Sequence, residues 1–375
     1  MVAPSKEEHL TPATTLKDAW NAFDPRPVES GNPYFVELTA ARGSQATLNL
    51  KKMIGFCAEN RFASIAFTGH RGSGKSTELL HLQKELNTSC FSIYVDVVEF
   101  LDVFDLDYTD LFLLVARRVI DELSAAQVQL NSNLLKGVED WFRSVTKESE
   151  ESVSLSAGIA TEAKAGIEIP FVARLLAKLT ADLKTGSSTK VKTREDLDRY
   201  FSGLVANTNL LLTAAAQALH DSRRPSRILI LFDNLDRVPL HKSEELFFTH
   251  GSQLQNFACH AVYTIAIDTY YSRRGIATVF PQNVILPNVK LTKGKGDATP
   301  NKAGIDSLAE IVEKRIDVKS LLEDHVVLQR AIQLSGGRVS QLMRLMGQAV
   351  LSSSARNIAK LDAQAIGEGA LDHFS

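Results

Sequence analysis

Two kinds of apolar pattern alternate along the chain. Ala63–Phe67, Phe91–Val97, Ile228–Phe232 and Ala261–Ile267 are short, nearly unbroken apolar runs, which predict buried strands. Around and between them apolar residues recur every three or four positions, predicting helices at Leu48–Cys57, Lys75–Leu86, Thr109–Leu123, Thr193–Leu219 and Ser243–Phe257. A last short strand is expected at Val284–Leu286 or Val289–Leu291. Strands apolar on both faces, alternating with helices, imply an α/β fold with a parallel sheet flanked by helices. Past about residue 292 only helical spacing remains. A capping-box pattern, Ser307 with Glu310, opens a helix through Ile316, followed by helical patterns at Val326–Leu334, Ser340–Val350 and Asp362–Leu371.

This reading divides the chain into a tail and lead-in at 1–45, a core at 46–292 and a small all-helical domain at 293–375. The lead-in, broken by Pro25, Pro27, Gly31, Pro33 and Gly43, is expected to pack irregularly on the core. Lys293–Gly304 reads as a flexible loop. One segment, 146–192, fits neither domain and reads as an insertion. From Val153 to Phe171 the odd positions are mostly apolar and the even ones mostly Ser, Gly, Glu or Lys, which predicts a long hairpin with one apolar face. After it, Phe171, Val172, Leu175, Leu176, Leu179 and Leu183 form one face of an amphipathic helix.

Composition narrows the class without choosing within it. The chain has 375 residues, 44% hydrophobic and 23% charged, which excludes a disordered, collagenous or disulfide-dense protein. A formal charge of -2 does not support a polyanion-binding surface as a whole. Cys57, Cys90 and Cys259 lie far apart with no metal-ligand spacing, and the first 15 residues lack the apolar stretch of a signal peptide. The apolar run near Leu210–Leu219 is short of the ~20 residues that span a bilayer. A cytoplasmic protein is expected.

The most specific chemical signal is Gly69-His70-Arg71-Gly72-Ser73-Gly74-Lys75-Ser76-Thr77, which fits G-x-x-x-x-G-K-[ST] between a predicted strand and a predicted helix. Glycines let the backbone wrap phosphate with its amides pointing inward, and the helix start adds its positive dipole end. Lys75 would place a charge at the β and γ phosphates, and the Ser76 hydroxyl would hold Mg²⁺. His70 and Arg71 read rather as variable loop filler, and Thr77 equally as only the next helix residue. A metal site of this kind needs an acid at the carboxyl end of a neighbouring strand. Ile228–Phe232 followed by Asp233 supplies one. Where many proteins with such a loop carry an acid next, to orient the attacking water, this chain has Asn234; an amide can hydrogen-bond that water but cannot take its proton. Asp236 or Glu99 remain as bases, each with a plain alternative as an ion-pairing or solvated residue.

The phosphate loop and the string Asp233-Asn234-Leu235-Asp236-Arg237 resemble those of additional-strand P-loop ATPases, the AAA+ and STAND groups; D-N-L-D-R is similar to the D-D-L-D-R of KAP-type ATPases. The resemblance covers roughly 46–140 and 193–375. It implies a P-loop NTPase core with a helical lid, ATP and Mg²⁺ as cofactors, and several further positions. Asp268 or Thr269 would be the polar sensor. Arg338, after Gly336 and Gly337, would bring a lid arginine to the phosphates, with Arg344 the weaker candidate. Arg273 or Arg274 would reach a neighbouring copy's nucleotide. KAP proteins carry transmembrane helices within the core, and this chain carries the 146–192 insertion instead.

The reading is a Mg²⁺-dependent ATP-binding protein with slow ATPase activity, acting as a nucleotide-controlled switch or assembly factor in a bacterial defence or DNA-handling system. The insertion is the expected contact for a second copy or an effector protein, with membrane contact ranked last. Nucleic acid could be reached through Lys184, Lys190, Lys192 and Arg194, though net charge does not support it. The alternatives are a nucleic-acid-stimulated AAA+ ATPase and a non-hydrolysing ATP-binding scaffold; a kinase is more distant.

Overall fold

The computed structural model describes residues 11–29, 31–148, 153, 170–185, 188–294 and 296–374. The main strands are β1 (Ser64–Thr68), β2 (Cys90–Asp96), β3 (Arg227–Asp233), β4 (His260–Ile265) and β5 (Asn283–Ile285). The helices used below are α1 (Leu16–Ala22), α2 (Ala46–Gly55), α3 (Lys75–Glu85), α4 (Tyr108–Ala125), α5 (Ser132–Thr146), α6 (Phe171–Thr185), α7 (Ser188–Arg199), α8 (Phe201–Asp221), α9 (Lys302–Glu313), α10 (His325–Leu334), α11 (Val339–Ala355) and α12 (Ala363–Phe374). The chain divides into two compact units. One comprises 49–68 and 82–284. The other comprises 1–48, 69–81 and 285–375.

The larger unit is built on the sheet, whose order is β2-β3-β4-β1-β5. It is the parallel α/β P-loop fold expected from the apolar runs. Residues 228–233 of β3 and all of β4 are buried, because each strand has a neighbour on both sides and helices above or below it. Phe232 stacks on Tyr263, ring centroids 4.9 Å apart, which ties β3 to β4 through the core. The register pairs Asp96 with Asp233 across β2 and β3, and Thr68 with Ile265 across β1 and β4. The carboxyl ends of these strands therefore share one edge, where β1 releases the chain into the glycine-rich segment.

Helix α4 opens on Asp107, whose carboxylate accepts from Thr109 N at 2.9 Å, with Asp110 returning the capping-box bond. Both β2 and α8 pack on it, as does α6, whose Val172, Leu175, Leu176, Leu179 and Leu183 are buried. The apolar face of the amphipathic helix is thus covered inside the unit, which removes it as a membrane surface. The expected hairpin lies, from 154 to 169, outside the described residues. Sequence spacing missed α5, capped by Asn131 and burying Val138, Phe142 and Val145. The single helix expected over Thr193–Leu219 is two, α7 and α8, broken at Tyr200. The one expected at Ser243–Phe257 is interrupted by a π turn at Glu245–Thr249 and by His250, which stacks on Tyr108.

The basic stretch offered for nucleic acid is engaged internally. Lys190 is 4% exposed and pairs with Asp105 at 2.9 Å; Arg194 meets Asp105 at 2.9 Å and forks onto buried Asp110. Lys184 donates to the Glu99 carbonyl. Lys192, the fourth, is exposed and has no such partner among the described residues. No helix among the described residues is long and apolar enough to cross a membrane.

The second unit gathers α9–α12 around Leu308, Leu328, Leu342, Met346 and Ile366. The lead-in expected on the core joins this cluster instead, through Ala19, Phe23, Val36, Leu38 and Ala41. Backbone bonds from Ala13 N to Arg315 O and from Asp317 N to Ala13 O, both 2.9 Å, fasten it. The segment expected as a strandless loop contains an exposed antiparallel pair, β6 (Thr292–Gly294) and β7 (Asp297–Pro300). Helix α9 begins at Lys302 after Asn301, so Ser307 is an interior helical residue and caps nothing; a Ser and a Glu three apart also lie on one helix face.

Candidate functional site

The glycine-rich segment lies in the second unit, between β1 and the start of α3. Gly72 has φ +82° and Gly74 φ +100°, a region that side chains with a Cβ rarely adopt, so these two positions require glycine. The loop closes on itself where Ser73 N donates to His70 O at 3.1 Å. Lys75 is 5% exposed and its Nζ donates to Gly69 O at 2.9 Å and His70 O at 3.2 Å, which holds the ammonium over the loop's own carbonyls. Ser76 is half-buried on the first turn of α3; His70 and Arg71 are exposed, as loop filler would be. The Thr77 hydroxyl accepts from Val28 N at 3.3 Å, a structural use.

Two neighbours brace this loop. From the lead-in, Arg42 donates Nη2 to Ser73 O at 2.6 Å and pairs Nη1 with Glu78, which also accepts from Thr47. From the C-terminal helices, Ser340 N, in the first turn of α11, donates to Gly72 O at 3.2 Å. Arg338 stands at the N-cap of α11, two residues before Ser340, half-buried and without a side-chain hydrogen bond or ion pair among the described residues. Gly336 and Gly337, both at positive φ, turn the chain into that position. Arg344 is exposed on α11.

The acidic group lies in the sheet unit. Asp233, 1% exposed, ends β3; its Oδ1 accepts from Asn234 N at 2.8 Å and its Oδ2 from the Tyr94 hydroxyl. Asn234 takes a left-handed φ of +65°, and its Nδ2 donates to Asp96 Oδ1 at 2.8 Å. Asp96, at the end of β2, also caps the short helix Val97–Phe100 through Val98 N. Two carboxylates thus stand at neighbouring strand ends, one of which, Asp96, the sequence reading missed. Its signal was present: an acid closing an apolar run, the pattern that pointed to Asp233.

The remaining candidates are dispersed. Asp236 sits half-buried in the 3-10 turn Leu235–Arg237, and Glu99 is exposed. The sensor strand ends at Ile265, earlier than expected. Thr269 is buried and donates to the Ser243 hydroxyl at 2.8 Å, while Asp268 is exposed. Arg274 lies over the Phe248 ring at 4.8 Å, and Arg273 is exposed.

The donor set fits a polyphosphate and its cation. The Ser73 hydroxyl is buried without a hydrogen-bond partner among the described residues, an orphan beside the loop amides. No cluster of three or more His, Cys, Asp or Glu suited to a metal occurs among the described residues. Mg²⁺ keeps most of its waters and takes only one or two protein oxygens, and the Ser76 hydroxyl is an oxygen of that kind.

A family profile described as the KAP family P-loop domain matches residues 44–269, more than half of the chain. No protein of curated function matches the sequence. Among solved structures, the chain is similar to the ORC2 protein of Aeropyrum pernix, with 11% identity, TM-score 0.46, and coverage of 94% of this chain and 71% of that one. It is also similar to Cdc6p of Pyrobaculum aerophilum, at 9% identity and TM-score 0.43 over 93% and 69% of the two chains. A Walker-type ATPase of Pyrococcus abyssi matches at 12% identity and TM-score 0.41 over 94% and 75%.

Proposed function

The chain belongs to the KAP family of P-loop domains, and from that premise we propose that it binds ATP with Mg²⁺ and hydrolyses it slowly, as a nucleotide-controlled switch. The observation that carries the reading is the loop Gly69–Thr77, with Gly72 and Gly74 at positive φ and Lys75 held over the loop carbonyls. Bound Mg²⁺–ATP supplies the γ-phosphoryl group and the cation that screens it. Lys75 leaves its loop carbonyls for phosphate oxygens and stabilises the charge that spreads over them during transfer. Ser76 offers a hydroxyl to the cation. Asp233, a buried carboxylate at the end of β3, is assigned to the cation's waters.

Asn234 cannot accept a proton, and its amide is engaged with Asp96. We therefore assign orientation of the attacking water to Asp96, with Asn234 holding that carboxylate in place and Asp236 in reserve on the following turn. Arg338 is assigned to the phosphates from the start of α11, supported by the Ser340–Gly72 bond two residues away. Nucleotide state would then be felt by α11 and by the helical lid at 293–375. Contact with a second copy or an effector is assigned to the 146–192 insertion on its alternating pattern alone, and a cytoplasmic setting on the cysteine usage.

The test compares wild type with Lys75→Ala and Asp233→Ala for ATP turnover, and for mass in solution with and without nucleotide. Both variants should lose turnover, and Lys75→Ala should also lose any nucleotide-dependent change of mass. Unchanged turnover in Lys75→Ala would overturn the reading.

A further inference from the structure

We propose that Arg42, a residue of the lead-in outside every recognised motif, is the positioning residue that sets the phosphate loop for a β-phosphate. The inference rests on the nucleotide reading above and deepens it. Arg42 closes the short helix Thr39–Arg42 and is 3% exposed. One arm of its guanidinium donates to Ser73 O at 2.6 Å, and the other pairs with Glu78, itself 6% exposed and one turn into α3. Thr47 completes the set by donating to the second oxygen of Glu78.

The consequence follows from peptide geometry. No peptide bond among the described residues is cis, and in a planar trans peptide the carbonyl and the next amide point in opposite directions. Fixing Ser73 O on Arg42 therefore aims Gly74 N–H to the opposite side, away from the guanidinium. The contact is close: a Cβ on Gly74 would lie 3.0 Å from Arg42 Nη2. The fork is what matters, since one planar group must reach a carbonyl and a carboxylate at once, which a lysine cannot copy. Glu78 balances the charge of Arg42, so Arg42 acts through the loop backbone and does not itself act as a phosphate ligand. The Arg42 Nε is buried without a hydrogen-bond partner among the described residues, so the group is held for its two arms at the expense of the third donor.

The test measures ADP and AMP affinity by competition titration, with thermal unfolding as the control for folding. Arg42→Gln alone would strand Glu78, so the informative variant is Arg42→Gln with Glu78→Gln, which removes both charges together. A second variant, Arg42→Lys, keeps the charge opposite Glu78 and loses the fork. Both should unfold within a few degrees of wild type, bind ADP at least tenfold more weakly, and bind AMP nearly as before, so that the preference for ADP collapses. A general loss of structure would weaken both nucleotides alike and would overturn the proposal, as would wild-type ADP affinity in the folded double variant. If wild type itself fails to bind ADP, the nucleotide reading fails first.

Discussion

Gly72→Ala tests the contact between the phosphate loop and α11. At φ +82° an alanine is strained by about 1–2 kcal/mol. Its Cβ would lie 1.9 Å from Ser340 Oγ and 3.1 Å from Ser340 Cβ, so the hydroxyl must rotate and α11 must give by a few tenths of an ångström. The bond from Ser340 N to Gly72 O, 3.2 Å, is stretched or lost, for about 1 kcal/mol more. The sum, about 2–3 kcal/mol, weakens ADP binding roughly 30–150-fold if the loop must hold this conformation to bind. Ser340→Ala alone should cost under about 0.5 kcal/mol, as surface-type changes do. In the Ser340→Ala background the oxygen clash is gone, so Gly72→Ala should recover about 1 kcal/mol, a coupling a double-mutant cycle in ADP affinity resolves. Strict additivity of the two changes would refute the placement of α11 on the loop.

Three further outcomes are expected. Asp233→Asn and Asp96→Asn should each lower kcat, by about 10²-fold or more, with ADP affinity within a few-fold of wild type, read by steady-state turnover beside equilibrium titration. His260 is buried, with Ala63 N donating to its Nδ1 at 3.0 Å, and burial followed by the Arg227 charge lowers its pKa from 6.5 to about 4. In that window the unfolded chain takes a proton the folded chain refuses, so stability falls as pH falls, by about 3 kcal/mol in all; urea unfolding at several pH values should show this step in wild type and lose it in His260→Gln. Gly337→Ala, at φ +78° with its Cβ 2.0 Å from the Val289 carbonyl, should cost about 3 kcal/mol or more and lower Tm by several degrees, since backbone cannot move aside as a side chain can.

Local pattern was enough where one stretch of chain carries both the structure and its signal. The apolar runs became β1–β4; β3 and β4, buried on both faces, must be apolar nearly throughout, while β2, at the sheet edge, is only half-buried at several positions. The loop Gly69–Thr77 could be read because its glycines, its lysine and its helix start are consecutive. Where a helix is broken by packing, as at Tyr200 or His250, the apolar spacing continues through the break and gives no sign of it. Helix α5 was legible in principle, since Asn131, Val138, Phe142 and Val145 have the right spacing, and it was missed for want of a strand on either side.

The residues that position the loop escaped for a different reason. Arg42 stands 31 residues before the Ser73 carbonyl it holds, and Ser340 follows the Gly72 carbonyl it reaches by far more. Asp96 and Asn234 meet only because β2 and β3 pair in register. The one-dimensional chain determined the chemistry available: a backbone cradle for phosphate, an ammonium, a strand-end acid and an amide where a base is expected. Tertiary structure decided which side chains hold those groups in place and which cations are already neutralised by buried acids. A hydrogen bond between distant segments depends on where the fold brings them, and no periodicity or spacing in either segment encodes the meeting.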